Sequence, residues 1–285
     1  MSKIIVGLHL IWKIVWRIGL FFIVWGTTIS LFFVPLGSRL FKWQQLSPIS
    51  AQFYIDVVGA ITILAASWSM TRFIDHRPFR TIGLGTDHFS REIIGGLAIG
   101  TVWLGISLVI AWILGWASPL APVGFSWHIL IGTMIAMLFN VFTQELLLCG
   151  FIFQTIRRRS NVIVAIVVSA ILFSGYHAGA FKGAWLPPLN IFGAGVLFCL
   201  AYVITGKLWF PIAIHFAWDV LLGPVLGLTE SGKNNLGGNW KMFDIQGPSL
   251  FTGGAFGLEG GLIVTITVSI AIFLLYYYKA RKLEY

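Results

Sequence analysis

The chain predicts an all-α polytopic membrane protein with about eight transmembrane helices in one bundle. Three observations carry this reading. Of 285 residues, 58% are hydrophobic and only 10% charged, well under half the charged share of an ordinary soluble domain. The mean hydropathy is +0.89, so a globule of this composition could not cover itself in polar side chains. Finally, apolar windows of the roughly 17 to 25 residues that a helical span needs recur along the whole length. This composition excludes disordered and fibrous chains. It also excludes a nucleic-acid-binding domain, because the net charge of +9 gathers on no phosphate-tracking face.

The N-terminus reads as a retained, partly interfacial leading helix. Lys13 and Arg17 interrupt its apolar run and no small-residue cleavage site follows. The expected spans then run 18–35, 51–70, 93–114, 127–148, 162–177, 189–204, 208–227 and 261–278. The fifth and sixth are short. The polar stretch 228–260, rich in Gly and Asn, reads as a loop. The two cysteines, Cys149 and Cys199, lie in apolar runs and offer no disulfide framework.

Basic residues orient the bundle. With the N-terminus cytoplasmic, fourteen Lys and Arg fall on inside segments, including Arg72, Arg77, Arg80, Arg157, Arg158 and Arg159. Five fall outside: Arg39, Lys42, Lys182, Lys233 and Lys241. That asymmetry follows the positive-inside rule for an even number of spans, with both termini cytoplasmic in a multi-pass protein of the cell membrane. The basic excess also suits contact with anionic lipid. Trp12, Trp16, Trp116, Trp127, Trp185 and Trp209 fall near span ends, where amphipathic rings prefer to sit.

Charged groups inside hydrocarbon are costly and call for a partner or a function. Asp75, Asp87, Glu92, Glu230, Asp244, Glu259 and Glu284 can be placed in loops or tails, which leaves Asp56, Glu145 and Asp219 within spans. Asp56 lies near a span end, where it can reach the interface or pair with a neighbour. His128, beside Trp127, reads as interfacial. The remaining groups form a pattern on three helices: Gln144-Glu145 with Cys149 one turn on, Phe173 followed by His177, and His215 followed by Asp219. Residues i and i+4 share a helix face, so His215 and Asp219 point together. Asn140 and Gln144 make a second polar pair, rotated about 100° from Glu145. A carboxylate can act as general base for water, and imidazoles can orient that water or stabilise an oxyanion. His177, His215, Asp219 and Glu145 are also candidate ligands for a divalent metal such as zinc. Both alternatives lead to hydrolysis of an acyl bond within the membrane. The groups are expected to converge on one polar cavity opening toward the cytoplasm or the inner leaflet.

At these residues the chain resembles the CPBP family (CAAX proteases and bacteriocin-processing enzymes, also called Abi), whose motifs are EExxxR, FxxxH, and HxxxN or HxxxD. Gln144, Glu145 and Cys149 stand where the first motif is expected. Phe173 and His177 match the second, and His215 and Asp219 the third. The resemblance implies a leading helix and three helices over 1–124, followed by a catalytic core of five helices over 125–285. It also implies an intramembrane endopeptidase acting on a peptide or protein substrate. In that family the first glutamate and the second-motif histidine activate water, and the third-motif residues stabilise the oxyanion. Here the first glutamate is Gln144, which cannot accept a proton, and the arginine is Cys149. Two readings stay open within the family: Glu145 serves as base, beside His177, His215 and Asp219, or the chain binds a peptide or partner without cutting it. A proton-coupled transporter is the alternative from another class.

Overall fold

The computed structural model describes residues 3–33, 48–233 and 240–283. Among the described residues nine α-helices have five residues or more: α1 (Lys3–Phe33), α2 (Pro48–Ser69), α3 (Phe89–Ile113), α4 (Trp127–Glu145), α5 (Phe153–Arg157), α6 (Val162–Tyr176), α7 (Leu186–Thr205), α8 (Trp209–Val220) and α9 (Leu262–Leu283). Three of them run on into π-helical turns, Met70–Ile74 after α2, Leu146–Ile152 between α4 and α5, and Leu221–Val225 after α8. A short antiparallel pair, β1 (Ala117–Pro119) and β2 (Phe243–Ile245), ties the loop after α3 to the segment before α9.

Six helical segments are long and apolar enough to cross a membrane: Gly7–Leu31, Ser50–Ile74, Phe89–Ile113, Trp127–Arg157, Leu186–Thr205 and Leu262–Arg281. Val162–Tyr176 and Trp209–Val225 are shorter apolar helices. Every expected span therefore has a helix, and the chain is an all-α polytopic membrane protein. Two boundaries differ. The leading helix is not separate, because α1 is one helix from Lys3 and Arg17 is satisfied by a partner at the end of the next span. The fourth span does not stop at 148, because the π-helical turns carry the helix on to Arg157. Residues 34 and 35 of the first expected span, with Arg39, Lys42 and Glu284, lie outside the described residues.

Small residues set the tightest helix contact. On α3, Gly96 and Gly100 face α8 so closely that an added Cβ would lie 2.5 Å from Ala213 Cβ or 2.4 Å from the Ile214 carbonyl oxygen. Such small-xxx-small seams let backbones approach where lipid offers no hydrophobic drive between helices. The seam is backed by Trp103 of α3, which stacks on Trp218 of α8 with ring centroids 3.9 Å apart. Trp103 also donates through Nε1 to Thr267 Oγ1 of α9 at 3.1 Å.

One end of the bundle is tied by charge. Asp75, buried just past α2, accepts from Arg17 Nε at 3.1 Å, Arg77 Nη2 at 3.1 Å and Arg159 Nη2 at 3.4 Å. It thereby joins α1, the α2 terminus and the segment after α5. Burial alone would push the Asp75 carboxyl up, but the guanidinium groups of Arg17, Arg77 and Arg159 hold it below its ordinary value. At the other end, Asn190 of α7 donates to the carbonyls of Glu259 (2.7 Å) and Gly261 (2.9 Å), pinning the glycine-rich segment before α9.

Candidate active site

The site begins with an α-helix that changes register just after its polar residues. Through Glu145 the chain is α-helical, so the adjacent Gln144 and Glu145 face directions about 100° apart. Gln144 points to a cavity of about 320 Å³, while Glu145 is fully buried behind the cavity wall. The π-helical segment starts at Leu146, a distortion common beside functional sites. Cys149, in the place of the family's arginine, is buried with its Sγ 3.7 Å from Cys199 Sγ, both as free thiols.

His215 is held from two sides. Its Nδ1 lies 2.9 Å from Glu145 Oε1 across the α4–α8 contact, and its Nε2 lies 3.2 Å from Asp219 Oδ2 one turn along α8. Each ring nitrogen thus faces a carboxylate, an arrangement satisfied when both nitrogens carry a proton. Phe198 of α7 stacks on the ring at 4.5 Å and fixes its plane. His177 follows the last residue of α6, where its Nδ1–H donates to the Phe173 carbonyl at 3.0 Å. Because a carbonyl only accepts, the Nε2 of that tautomer is left as a bare lone pair. Phe173 sits between the two imidazoles, 4.9 Å from the His177 ring and 5.8 Å from the His215 ring.

The opposite wall is a chain of amides leading to a carboxylate. Gln144 Nε2 donates to Asn140 Oδ1 at 2.6 Å, and Asn140 Nδ2 donates to Asp56 Oδ1 at 2.9 Å. Gln52 donates to both Asp56 oxygens. Gln144 Oε1 is a buried acceptor with no partner among the described residues, which leaves it open to a water or a substrate N–H.

Of the residues singled out from the sequence, Gln144, Asn140, His177, His215 and Asp219 line this one cavity. Glu145 does not; it touches the site only through His215. Three carboxyl groups of the lining were not placed there by the sequence. Asp56 was assigned to a span end, and Glu230 and Glu259 to a loop. The loop after α8 and the segment before α9 fold back over the cavity and bring both glutamates in. No local pattern marks them, since this arises from contacts between residues far apart in the chain.

The cavity lies at the end of the bundle away from the basic cluster, not at the basic end that the sequence reads as the cytoplasmic one. Its lining includes Gln52 and Thr133 near the starts of α2 and α4, His177 just past α6, and Glu230 and Glu259. All belong to the end of the bundle opposite Asp75 and its arginines. The reason is depth. Glu145, for instance, lies about 18 Å from the basic flank at Arg157, past the middle of a roughly 30 Å core.

These side chains do not suit the zinc set considered from the sequence. Both His215 nitrogens are spent on carboxylates, His177 Nδ1 is spent on a carbonyl, and Glu145 is outside the cavity. Among the described residues no three His, Cys, Asp or Glu groups are arranged to hold a metal ion.

Residues 126–221 match the family model described as Rce1-like, Type II CAAX prenyl endopeptidase Rce1-like. The matched stretch runs from the start of α4 into the turn after α8 and includes Gln144, Glu145, His177, His215 and Asp219. This agrees with the resemblance to the CPBP family carried by the motifs. No curated protein and no solved structure gives a match.

Proposed function

From a chain that is Rce1-like over residues 126–221, we propose an intramembrane endopeptidase that hydrolyses a peptide bond in the cavity between α4, α6 and α8. The observation that carries the reading is the pairing of two histidines in opposite hydrogen-bonding states. His177 offers a bare Nε2 lone pair, and His215 is clamped as a donor between Glu145 and Asp219. In this reading His177 Nε2 takes the proton of a water held by Gln144 Oε1, and the hydroxide attacks the substrate carbonyl carbon. The imidazolium of His215 supplies positive charge beside the developing oxyanion. Glu145 is a positioning residue that keeps His215 oriented and protonated, as second-sphere carboxylates do for histidines elsewhere.

The positive-inside asymmetry further supports both termini and the Asp75 end as cytoplasmic. The cavity then opens on the opposite side of the membrane, and membrane lipid surrounds the substrate on its way in.

The reading is tested with purified protein in liposomes and an internally quenched peptide carrying an apolar scissile pair. The wild type should cleave it, and His177→Ala and His215→Ala should each abolish cleavage. Cleavage unaffected by both substitutions would overturn the assignment. One observation favours a second reading: Gln144 puts a neutral amide where the family has its base. A chain that binds without cutting would hold the peptide with unchanged affinity yet leave it intact.

A further inference from the structure

Breaking a peptide bond requires a proton on the leaving nitrogen as well as a base for water. In a glutamate-based site one carboxyl group can do both jobs in turn, but Gln144 can do neither. The proton for the nitrogen then comes either from His177, once it has taken one from water, or from a second carrier facing the cavity, and three of the four described carboxyl groups of the lining are already engaged.

Asp56 accepts amide N–H groups on both oxygens, from Gln52 and Asn140, so it is held as an acceptor. Asp219 is tied to His215 Nε2 at 3.2 Å. Glu259 accepts on both oxygens, from Trp218 Nε1 at 3.0 Å on Oε1 and from Ser231 N at 2.5 Å and Ser231 Oγ at 3.1 Å on Oε2. Glu230 is different. Its carboxyl lines the cavity and makes no hydrogen bond among the described residues.

Its position is nevertheless built. The Glu230 backbone is bridged in both directions to Lys233, at 3.0 and 2.8 Å, and Gly232 N donates to the Phe256 carbonyl at 2.9 Å. Ser231 is fastened to Glu259. Glu230 Oε2 lies only 2.5 Å from where a Cβ would stand on residue 223, so that glycine makes the space for the carboxyl group. We propose that Glu230 is the general acid of this site, a catalytic residue supplied by the loop after α8 in place of the one the first motif has lost. This rests on the peptidase reading above and deepens it.

Water gives one proton to His177 Nε2, and its oxygen forms the new bond to the carbonyl carbon. The C–N bond then breaks, and the leaving nitrogen takes the proton of the Glu230 carboxyl. The proton on His177 returns to the Glu230 carboxylate through cavity water, leaving one acid and one amine for one water consumed. Burial, with Asp219 and Glu259 nearby, pushes the Glu230 carboxyl well up, which favours the protonated form that a general acid needs.

An amide needs this acid, whereas an ester with a good leaving alcohol scarcely does. The experiment compares the quenched peptide with its depsipeptide, identical but for an ester at the scissile bond, on wild type, Glu230→Gln and Glu230→Asp. For Glu230→Gln, amide turnover should fall on the order of a hundredfold or more with KM unchanged, while ester turnover falls far less. The amide-to-ester ratio should recover in part with Glu230→Asp. Equal losses on both substrates, or no loss, would overturn the role of Glu230 and leave the peptidase reading standing. A wild type that cleaves neither substrate would overturn the peptidase reading, and this inference with it.

Discussion

Glu145 and His215 meet across the α4–α8 contact, Oε1 to Nδ1 at 2.9 Å, with both side chains buried. The carboxylate next in sequence to the cavity-facing amide is thus committed to an imidazole rather than to water. Breaking one partner of a buried pair leaves the other uncompensated, at a cost of roughly 3–5 kcal/mol. Glu145→Ala should therefore lower thermal stability by that order and remove cleavage, and Glu145→Gln should keep more of both. Thermal unfolding of the purified protein read beside peptide turnover checks this. A stable and active Glu145→Ala would contradict the positioning role.

Gln144→Glu puts a carboxylate on the wall of the cavity that His177 also lines. Turnover should rise on the order of a hundredfold, the usual contribution of a general base. Initial rates of peptide cleavage measure it. A fall in rate would show that the amide itself is the working group.

The Gly100 contact predicts a mechanical route to the same histidine. A side chain at 100 would meet the Ile214 carbonyl oxygen, 2.4 Å from the site of its first carbon, one residue before His215. Gly100→Leu should cost about 1–3 kcal/mol through overpacking and should depress turnover although residue 100 is outside the cavity lining. Normal activity with normal stability would mean that α3 and α8 can separate freely.

Asp75 makes stability depend on acid. Its carboxyl is held below its ordinary value by three arginines. The stabilisation is accordingly present above the unfolded carboxylate pKa, near 4, and is lost as pH falls through the lower folded value. Asp75→Asn should cost about 2 kcal/mol at neutral pH, the scale of hydrogen bonds to a charged group, and should flatten the acid side of the stability profile. Unfolding midpoints across pH 3 to 7 test it, and an unchanged slope would rule it out.

Topology can be checked directly. Reporters fused after Leu283 and within the 157–159 segment should lie on the same, cytoplasmic side, and one at Lys182 on the opposite side. The fully reversed pattern would invert the side on which the cavity opens, and the tail and the 157–159 segment on opposite sides would overturn the topology itself.

Much of the fold was legible because hydrocarbon demands it. Each expected span found its helix, since a window of apolar residues can hardly do anything else in a bilayer. The polar set at Asn140, Gln144, His177, His215 and Asp219 was legible for the same reason, because such groups stand out against an apolar background. What each group faces was not legible. Helical periodicity shows that Gln144 and Glu145 diverge, but only the position of α8 decides which one meets His215. Glu230 and Glu259 were hidden because loop carboxylates look alike whether they meet bulk water or fold back over a cavity. The continuation of α1 and α4 past their expected limits was hidden too, since Arg17 draws its partner from 58 residues away.

The knot at Asp75 has a consequence for how a substrate gets in. Helices α1 and α2, fastened together at one end, behave as levers with a common fulcrum. Rotating a helix by about 5° around that point swings its far end by roughly 2–3 Å over a 30 Å core. Such a swing strains no salt bridge at the fulcrum, yet it is half the width of a peptide backbone. Any swing of α2 about the knot would thus be largest at its start, where Gln52 and Asp56 line the cavity.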